Sequence, residues 1–513
     1  MDRAPDHASP PSGNFIVSPH RYLPGGRVQI WVGSFSADIS SLFLCWETDC
    51  LQAPEAPGEC PLSLEREAPG LCYTLLELDL IPGAHYQVRL VRRAGDGDTP
   101  LAAASLRACP SDLSRGFTAW YGTCFYRRED QQALRGAFRA LPLDHRPDVT
   151  FLGGDQVYLD TAFSNLAPSP IAGFSAMNFR TFKKRGQEFI RRLLGSVFSN
   201  EYRKNWRGGL REVLRTGASY FLAGDHEFWN DYPNRPGFLR SLRNPVLHDT
   251  WQRLARELFR AYQQPDGVPS AQFDVGNELS FFALDTRLSR GAGRDSGMTD
   301  DRSLADCKAW LAGLQSPGVL VLPAPLVTPW QFRRRWSLRA LKVKYGWGDH
   351  ALTDTGQYAE LVQALNDCAQ DVMILAGDVH FSRLATMHLN GKSLVEVVSS
   401  PLACLPSATT GPKQPVTHFP PRPVGNISTP VQYAEAGRLA RDFPCKATVH
   451  NFVTVRFARA KNAVEAQVTC WDLSDRSAEA SPAVDWQRTI ELRRRGMNVA
   501  SGVPAASPEE ESA

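Results

Sequence analysis

Long apolar runs are missing from this 513-residue chain: the stretch 318–327, one of the longest, is interrupted by Pro323 and Pro325. It falls well short of the ~20 residues a membrane-spanning helix requires, which excludes an integral helical membrane protein. The first residues, Met1 to Pro11, lack both an apolar core and a twin-arginine signal, so a cytoplasmic location is expected. Cys-x-x-Cys is also missing. The eleven cysteines are scattered, which argues against a zinc ribbon or a dithiol redox centre. Five of them (Cys45, Cys50, Cys60, Cys72 and Cys109) crowd the first quarter, where an oxidising compartment could pair some. With no export signal they are expected to stay reduced. An excess of one charge is lacking too: Lys plus Arg is 57 against 54 for Asp plus Glu, a net of +3, too small to imply a nucleic-acid or lipid partner. No low-complexity run suggests disorder, coiled coil or collagen as a global description.

What is present divides the chain. At ~150 residues per domain the length accommodates about three domains, or one large α/β domain with a smaller module. Residues 1–18, rich in Pro, Ser and Asp, read as a flexible leader. Over 19–110 one parity is apolar: Val28, Ile30, Val32; Leu76, Leu78, Leu80; Tyr86, Val88, Leu90. Turn residues such as Pro24-Gly25-Gly26 and Pro82-Gly83 separate these runs, which predicts a small β-sandwich. From 111 to 490 strands alternate with amphipathic segments, among them a helix over 249–263, which predicts an α/β domain. Near its end 452–457 and 464–468 read as paired edge strands. The acidic tail, 491–513, is expected to be disordered. Two segments are locally basic. Between Arg180 and Arg215 lie eleven Lys/Arg and three Glu, and between Arg333 and Lys344 six basic residues and no acid. Each fits a solvated helix face or a patch attracting an anionic substrate.

The chemistry concentrates where predicted strands end. Four do so in residues able to bind metal: Trp120-Tyr-Gly-Thr-Cys124, Phe151-Leu-Gly-Gly-Asp155-Gln-Val-Tyr158, Phe221-Leu-Ala-Gly-Asp225-His226-Glu227 and Ile374-Leu-Ala-Gly-Asp378-Val-His380. In an open α/β sheet, ligands bind beyond the carboxyl ends of strands. Glycine before the acid, in three of the four, lets the backbone turn sharply. A single Gly-Asp reads as a turn, and a single cysteine as core. Four such ends together point to a metal site.

These motifs resemble calcineurin-like metallophosphoesterases, and specifically their PhoD-like (alkaline phosphatase D) branch. A cysteine ends the first strand, a tyrosine follows the second aspartate by three residues, and Gly-Asp-Val-His stands in the last motif. Leu284-Asp285-Thr286-Arg287 and Ser399-Ser400-Pro401-Leu402 match as well, so the resemblance covers roughly residues 20 to 475. The implied fold is α/β: a calcineurin-like metallophosphoesterase sheet sandwich preceded by a small fibronectin-III-like β-sandwich, whose Leu…Pro-Gly-x-x-Tyr corner is matched at Leu78 to Tyr86. Two positions depart. Gly224 stands where the family usually has a further aspartate, and Phe381 where a second histidine is common.

The resemblance implies two metal ions bridged by Asp155. Cys124, Tyr158 and His380 would complete one site, and Asp225 with Asp378, helped by Asn230, the other. Thiolate, phenolate and imidazole suit Fe(III). Carboxylates suit Ca(II), with Mg or Mn as alternatives. The expected activity is hydrolysis of phosphomonoesters, phosphodiesters or both by a hydroxide that the metals generate and align. His226 would protonate the leaving group, and Arg287 would either clamp phosphate or hold a neighbouring acid. The expected partner is a phosphate-ester substrate, with nucleic acid or phospholipid entering only as a substrate. Two rivals stand beside this reading. One is a catalytically weak relative acting as a scaffold, against which the full ligand set argues. The other is a nucleic-acid- or phospholipid-binding protein, which a steep salt dependence of binding would reveal.

Overall fold

Period-two alternation at the start of the chain produces antiparallel strands with one buried face. In the computed structural model, which describes residues 13–48, 58–95, 97–162, 186–234, 242, 244–293, 296–330, 351–403, 415–435, 450–473, 475 and 481–495, β1 (Phe15–Tyr22), β2 (Arg27–Ser34), β6 (Leu71–Asp79) and β5 (Arg66–Ala68) form one sheet in that order. A second sheet runs β4 (Gly58–Leu62), β3 (Leu42–Thr48), β7 (His85–Ala94), β8 (Gly97–Arg107). Val28, Ile30 and Val32 of β2 and Val88 and Leu90 of β7 are fully buried together. The register sets Val28 opposite Leu78 and Ile30 opposite Leu76, so the parity seen in the sequence is the parity of one sheet face. At the turn before β7, the Ile81 amide donates to the Tyr86 hydroxyl at 3.0 Å, a tyrosine corner. The expected leader is too long by a few residues. Phe15, Ile16 and Val17 are buried in β1, because three consecutive apolar residues there are covered on both faces of the strand.

The main body has two sheets. The six-stranded one runs β11 (Ala218–Phe221), β10 (Val149–Leu152), β9 (Phe117–Gly122), β21 (Asn451–Arg459), β22 (Ala463–Asp472), β23 (Ala483–Arg493). The seven-stranded one runs β12 (Ser270–Val275), β13 (Leu279–Leu284), β14 (Gly318–Val321), β15 (Val372–Ala376), β17 (Lys392–Val398), β16 (Arg383–Leu389), β20 (Gln432–Glu435), and β18 (His418–Val424) pairs separately with β19 (Ile427–Pro430). Strands β9, β10 and β11 are mutually parallel, as are β13, β14, β15 and β17. Alternate residues of each sheet face the other. Phe117, Tyr121 and Phe151 meet Phe281, Val319 and Met373 in one core, with Phe151 and Phe281 stacked at 5.9 Å.

The opposite residues face helices. The described helices are α1 (Arg127–Asp130), α2 (Ala133–Arg139), α3 (Gln187–Arg207), α4 (Arg211–Leu214), α5 (Pro245–Tyr262), α6 (Asp301–Gly313) and α7 (Tyr358–Asp367). Trp120, Leu152 and Phe221 pack under α3 and α5, and Phe282, Leu320 and Ile374 under α6 and α7. Strands buried on both faces read as unbroken apolar runs, which is why the strands expected before Cys124, Asp155, Asp225 and Asp378 are present as β9, β10, β11 and β15.

Two further expectations change. Strand β21 is not an edge. It lies between β9 and β22, and its residues from Asn451 to Val455 are buried on both sides. The edge is β23, which continues to Arg493, so the start of the expected tail is part of the sheet. Arg495 still holds Asp371 at 2.9 Å, and residues 496–513 lie outside the described residues. No described helix is long and apolar enough to cross a membrane. All described cysteines are free thiols. The basic stretch 333–344, residues 180–185 and Cys50 also lie outside the described residues.

Candidate metal centre

Strand order decides which predicted ligands meet. In the order β11-β10-β9 the turn after β10 lies in the middle, so Asp155 stands between Asp225, after β11, and Cys124, after β9. The facing sheet supplies the fourth turn, after β15: the Asp378 amide donates to Thr123 Oγ1 at 3.2 Å, beside Cys124. Ligand-capable atoms of Cys124, Asp155 and Asp378 all lie within 4.8 Å of one another, as do those of Asp155, Asp225 and His226. Asp155 is common to both groups. Its Oδ2 accepts from Cys124 Sγ at 3.6 Å, and the Ser400 hydroxyl donates to the same sulfur at 3.3 Å.

The backbone is bent to make this possible. Cys124 (φ 59°), Asp155 (φ 59°), Asp378 (φ 70°) and His380 (φ 58°) all adopt the left-handed conformation. Side-chain-bearing residues rarely do so, and where they do the cluster marks a site. Glycine allows the turns to interlock. A Cβ on Gly224 would overlap Asp155 Oδ1, which explains why the further aspartate of related motifs has no place here.

Glu227 holds the turns together. Its Oε2 accepts from the amides of Asp155 (2.9 Å) and Gly224 (2.8 Å), and its Oε1 from those of Gln156 (2.6 Å) and Val157 (3.3 Å). One buried carboxylate thus fixes the loops after β10 and β11 to each other. Asp160 does the same for His226: its carboxylate lies 2.9 Å from the imidazole Nδ1 and accepts from the Asn230 amide at 2.7 Å. Asp285 takes the amides of Ala223 (2.7 Å), Arg287 (2.8 Å) and Leu288 (2.7 Å). Asn451 bridges Ser399 and Ser400, steadying the loop that borders Cys124.

The electrostatics are those of crowded acids. Burial, then the neighbouring Asp225, pushes the Asp155 carboxyl well above its ordinary range. Burial, followed by Asp155 and Asp378, raises the Cys124 thiol. Burial alone would lower His226, but Asp160, Asp225 and Asp155 outweigh it and hold the imidazolium. His380 is pushed down to about 4 by burial and then by the charge on His226. A polyvalent cation is what relieves such crowding, and the donors present (thiol, carboxylates, imidazole) are ones that metals accept.

Two observations bear on the expected grouping. Asp378 lies with Cys124 and Asp155, because the turn after β15 meets the turn after β9 across the sandwich. His226 sits with Asp155 and Asp225, within ligand range, whereas the sequence assigned it a proton-transfer role. Tyr158 stacks on the His226 ring at 4.1 Å. His380 is half-buried, close enough to feel the charges of His226 and Asp225. Asn230 approaches through its backbone amide, bound to Asp160. Arg287 is buried, donates to the Tyr232 carbonyl at 2.8 Å and lies 3.5 Å from Asp378 Oδ2. Glu227, Asp160 and Asp285 were given no role by the sequence reading. Their signal was position: Glu227 sits within a ligand motif, Asp160 two residues beyond another, and Asp285 within the Leu284-to-Arg287 match.

Sheets packed face to face, helices on both outer surfaces and an acid-rich centre beyond the parallel strand ends define an α/β/β/α sandwich. The fold is PhoD-like: the chain is similar to the solved structure of PhoD with a TM-score of 0.59 and 14% identity, over 96% of this chain and 92% of that one. A Paenibacillus sp. chitinase, ChiW (TM-score 0.15, 8% identity, 72% of this chain and 25% of that one), overlaps too little to bear on the fold. The same holds for a Paenibacillus sp. cycloisomaltooligosaccharide glucanotransferase (TM-score 0.17, 12% identity, 94% and 68%). No protein-family model and no curated relative matches the sequence.

Proposed function

We propose that the protein is a metal-dependent phosphoesterase that uses two metal ions to hydrolyse phosphomonoesters, phosphodiesters or both. The observation that carries this reading is the sharing of Asp155 by two groups of ligand-capable side chains at one crevice. Bound there, a pair of cations would neutralise phosphate oxygens and lower the pKa of an attacking water. The rest falls to the chain. Asp155, held by Glu227, spaces the two groups. Cys124 gives its group a soft donor suited to iron, whereas Asp225 offers oxygen suited to calcium, magnesium or manganese. His226, whose Nδ1 meets Asp160 and whose ring stacks on Tyr158, would give a proton to the leaving oxygen. Arg287 acts first on Asp378, whose carboxylate it steadies. The N-terminal sandwich is read as a fibronectin-III-like module on the strength of its tyrosine corner.

Asp155→Asn tests the proposal. Removing the shared charged ligand should strip both metals and lower turnover of chromogenic mono- and diesters by at least about 10²-fold, the scale of several kcal/mol of metal stabilisation. Elemental analysis and initial rates measure both. Undiminished hydrolysis by metal-free protein, or by the variant, would overturn the reading.

A further inference from the structure

The basic segment that ends at Arg215 contributes no residue to the two ligand groups among the described residues. Its last turn is the short helix α4, and there it meets a second helix. Arg139 and Arg135 of α2 lie 2.8 Å and 3.6 Å from Glu212 Oε1, and Arg215 lies 3.8 Å from Glu212 Oε2. Arg211 completes the group: it is half-buried, and it feels the charges of Arg215, Arg135 and Arg139 as well as that of Glu212. Three guanidinium groups therefore lie within hydrogen-bonding or ion-pair range of one carboxylate, and the charge of a fourth, on Arg211 of the same short helix, adds to theirs. A structural ion pair needs one arginine per acid, and a carboxylate has room to satisfy two at most bidentately.

Among the described residues the surplus meets no second acid. Arg215 Nε reaches the Ala103 carbonyl at 2.7 Å, but Arg135 Nε is buried and makes no hydrogen bond. Burial, together with the three surrounding arginines, lowers the Arg211 pKa, the mark of cations held closer than they would choose. Half-buried like charges repel at this range unless something negative joins them. The exposures suit a ligand arriving from solvent: the Arg139 and Arg135 side chains are 48% and 31% exposed, whereas Glu212 below them is 13% exposed.

We propose that Arg135, Arg139, Arg211 and Arg215 form a second anion site, separate from the metal centre, that binds a single phosphate group. Cationic donors gathered in one patch on two short helices suit a compact oxyanion presenting several acceptor oxygens better than an extended polyanion, whose charges are spread along a groove. The phosphate can be free or carried on a small molecule.

Calorimetric titration of the full chain with inorganic phosphate, and separately with adenosine monophosphate, tests this in an Asp155→Asn background, where the metal centre is disabled. Binding should persist in that background and weaken about tenfold or more in Asp155→Asn carrying Arg139→Gln and Arg211→Gln, the loss expected for charge-assisted hydrogen bonds. Arg139→Gln alone, a change at an exposed side chain that should leave the fold intact, should weaken it about threefold. Equal affinities for the two ligands would support a site for the phosphate group itself, and tighter binding of the monophosphate a site for a phosphate ester. Absence of binding in Asp155→Asn, or binding indifferent to the folded Arg139→Gln variant, would overturn the proposal whatever becomes of the phosphoesterase reading.

Discussion

His226 is the residue at which two kinds of chemistry compete. It lies with Asp155 and Asp225 within ligand range, yet its Nδ1 is engaged by Asp160 and its ring is covered by Tyr158. As a proton donor it should matter in proportion to the leaving group's need. His226→Ala should slow an alkyl phosphate ester by about 10²–10⁴-fold and a nitrophenyl ester far less, with metal content near wild type. Loss of a metal with equal slowing of both substrates would make it a ligand instead. Asp130 shows the cost of burying charge outside the centre. Its carboxylate accepts from Gln132 (3.1 Å) and Leu134 (2.9 Å) at the start of α2, but burial pushes it up to about 6. An acid raised in the folded state costs stability once pH exceeds its unfolded value of about 4, and the cost is complete above the folded value. Asparagine keeps an acceptor and sheds the charge. Asp130→Asn should therefore gain about 1–3 kcal/mol at pH 7, a gain that fades between about pH 6 and 4 and is measurable by denaturant unfolding.

At the scale of elements, the turn joining β11 to the following loop concentrates the design. Gly224 lies against Asp155 so closely that even a methyl group has no room. Gly224→Ala must push Asp155 aside, so metal occupancy and activity should fall together while the helices keep their far-UV signal. Full occupancy in this variant would show that the turn is freer than the packing indicates. These turns were legible because a strand buried on both faces is an apolar run and must stop where a Gly-Asp begins. Other strands were hidden. β16 opens with Arg383, buried against Glu396 of β17, so a charged pair interrupts the apolar signal of a core strand. β23 carries seven exposed residues on an outer edge and reads as polar. The partition of ligands was hidden for a different reason: which aspartate stands beside Cys124 depends on β15 crossing opposite β9, a pairing between sheets that no local pattern records. The same is true of Glu227, whose four amide partners come from both the β10 and the β11 turns.

At the scale of the whole molecule, the N-terminal sandwich is built into the larger body rather than hung from it. Tyr22, the last residue of β1, is buried at the junction. Its amide donates to the Tyr220 hydroxyl of β11 at 3.0 Å, and its own hydroxyl lies within hydrogen-bonding distance of the carbonyls of Arg107 (2.9 Å) and Asp148 (2.7 Å). Trp31 of β2 donates to the Ala261 carbonyl of α5 at 2.9 Å, and one continuous hydrophobic core includes both Val28 and Phe281. β1 thus packs against β11, the strand whose following turn carries Asp225. Tyr22→Phe keeps the ring and its packing against Phe273 but removes the one hydroxyl proton that these two carbonyls share, at a cost of about 1–3 kcal/mol, while the Asp148 carbonyl keeps the Ala218 amide. Because the core is shared, that loss should lower the melting of the sandwich and of the metal-bearing body together, as one shifted calorimetric transition. Two separate transitions in the wild type, with only the earlier one moved by Tyr22→Phe, would mean that the sandwich folds as an independent module and that its contact with β11 contributes little to holding the metal centre.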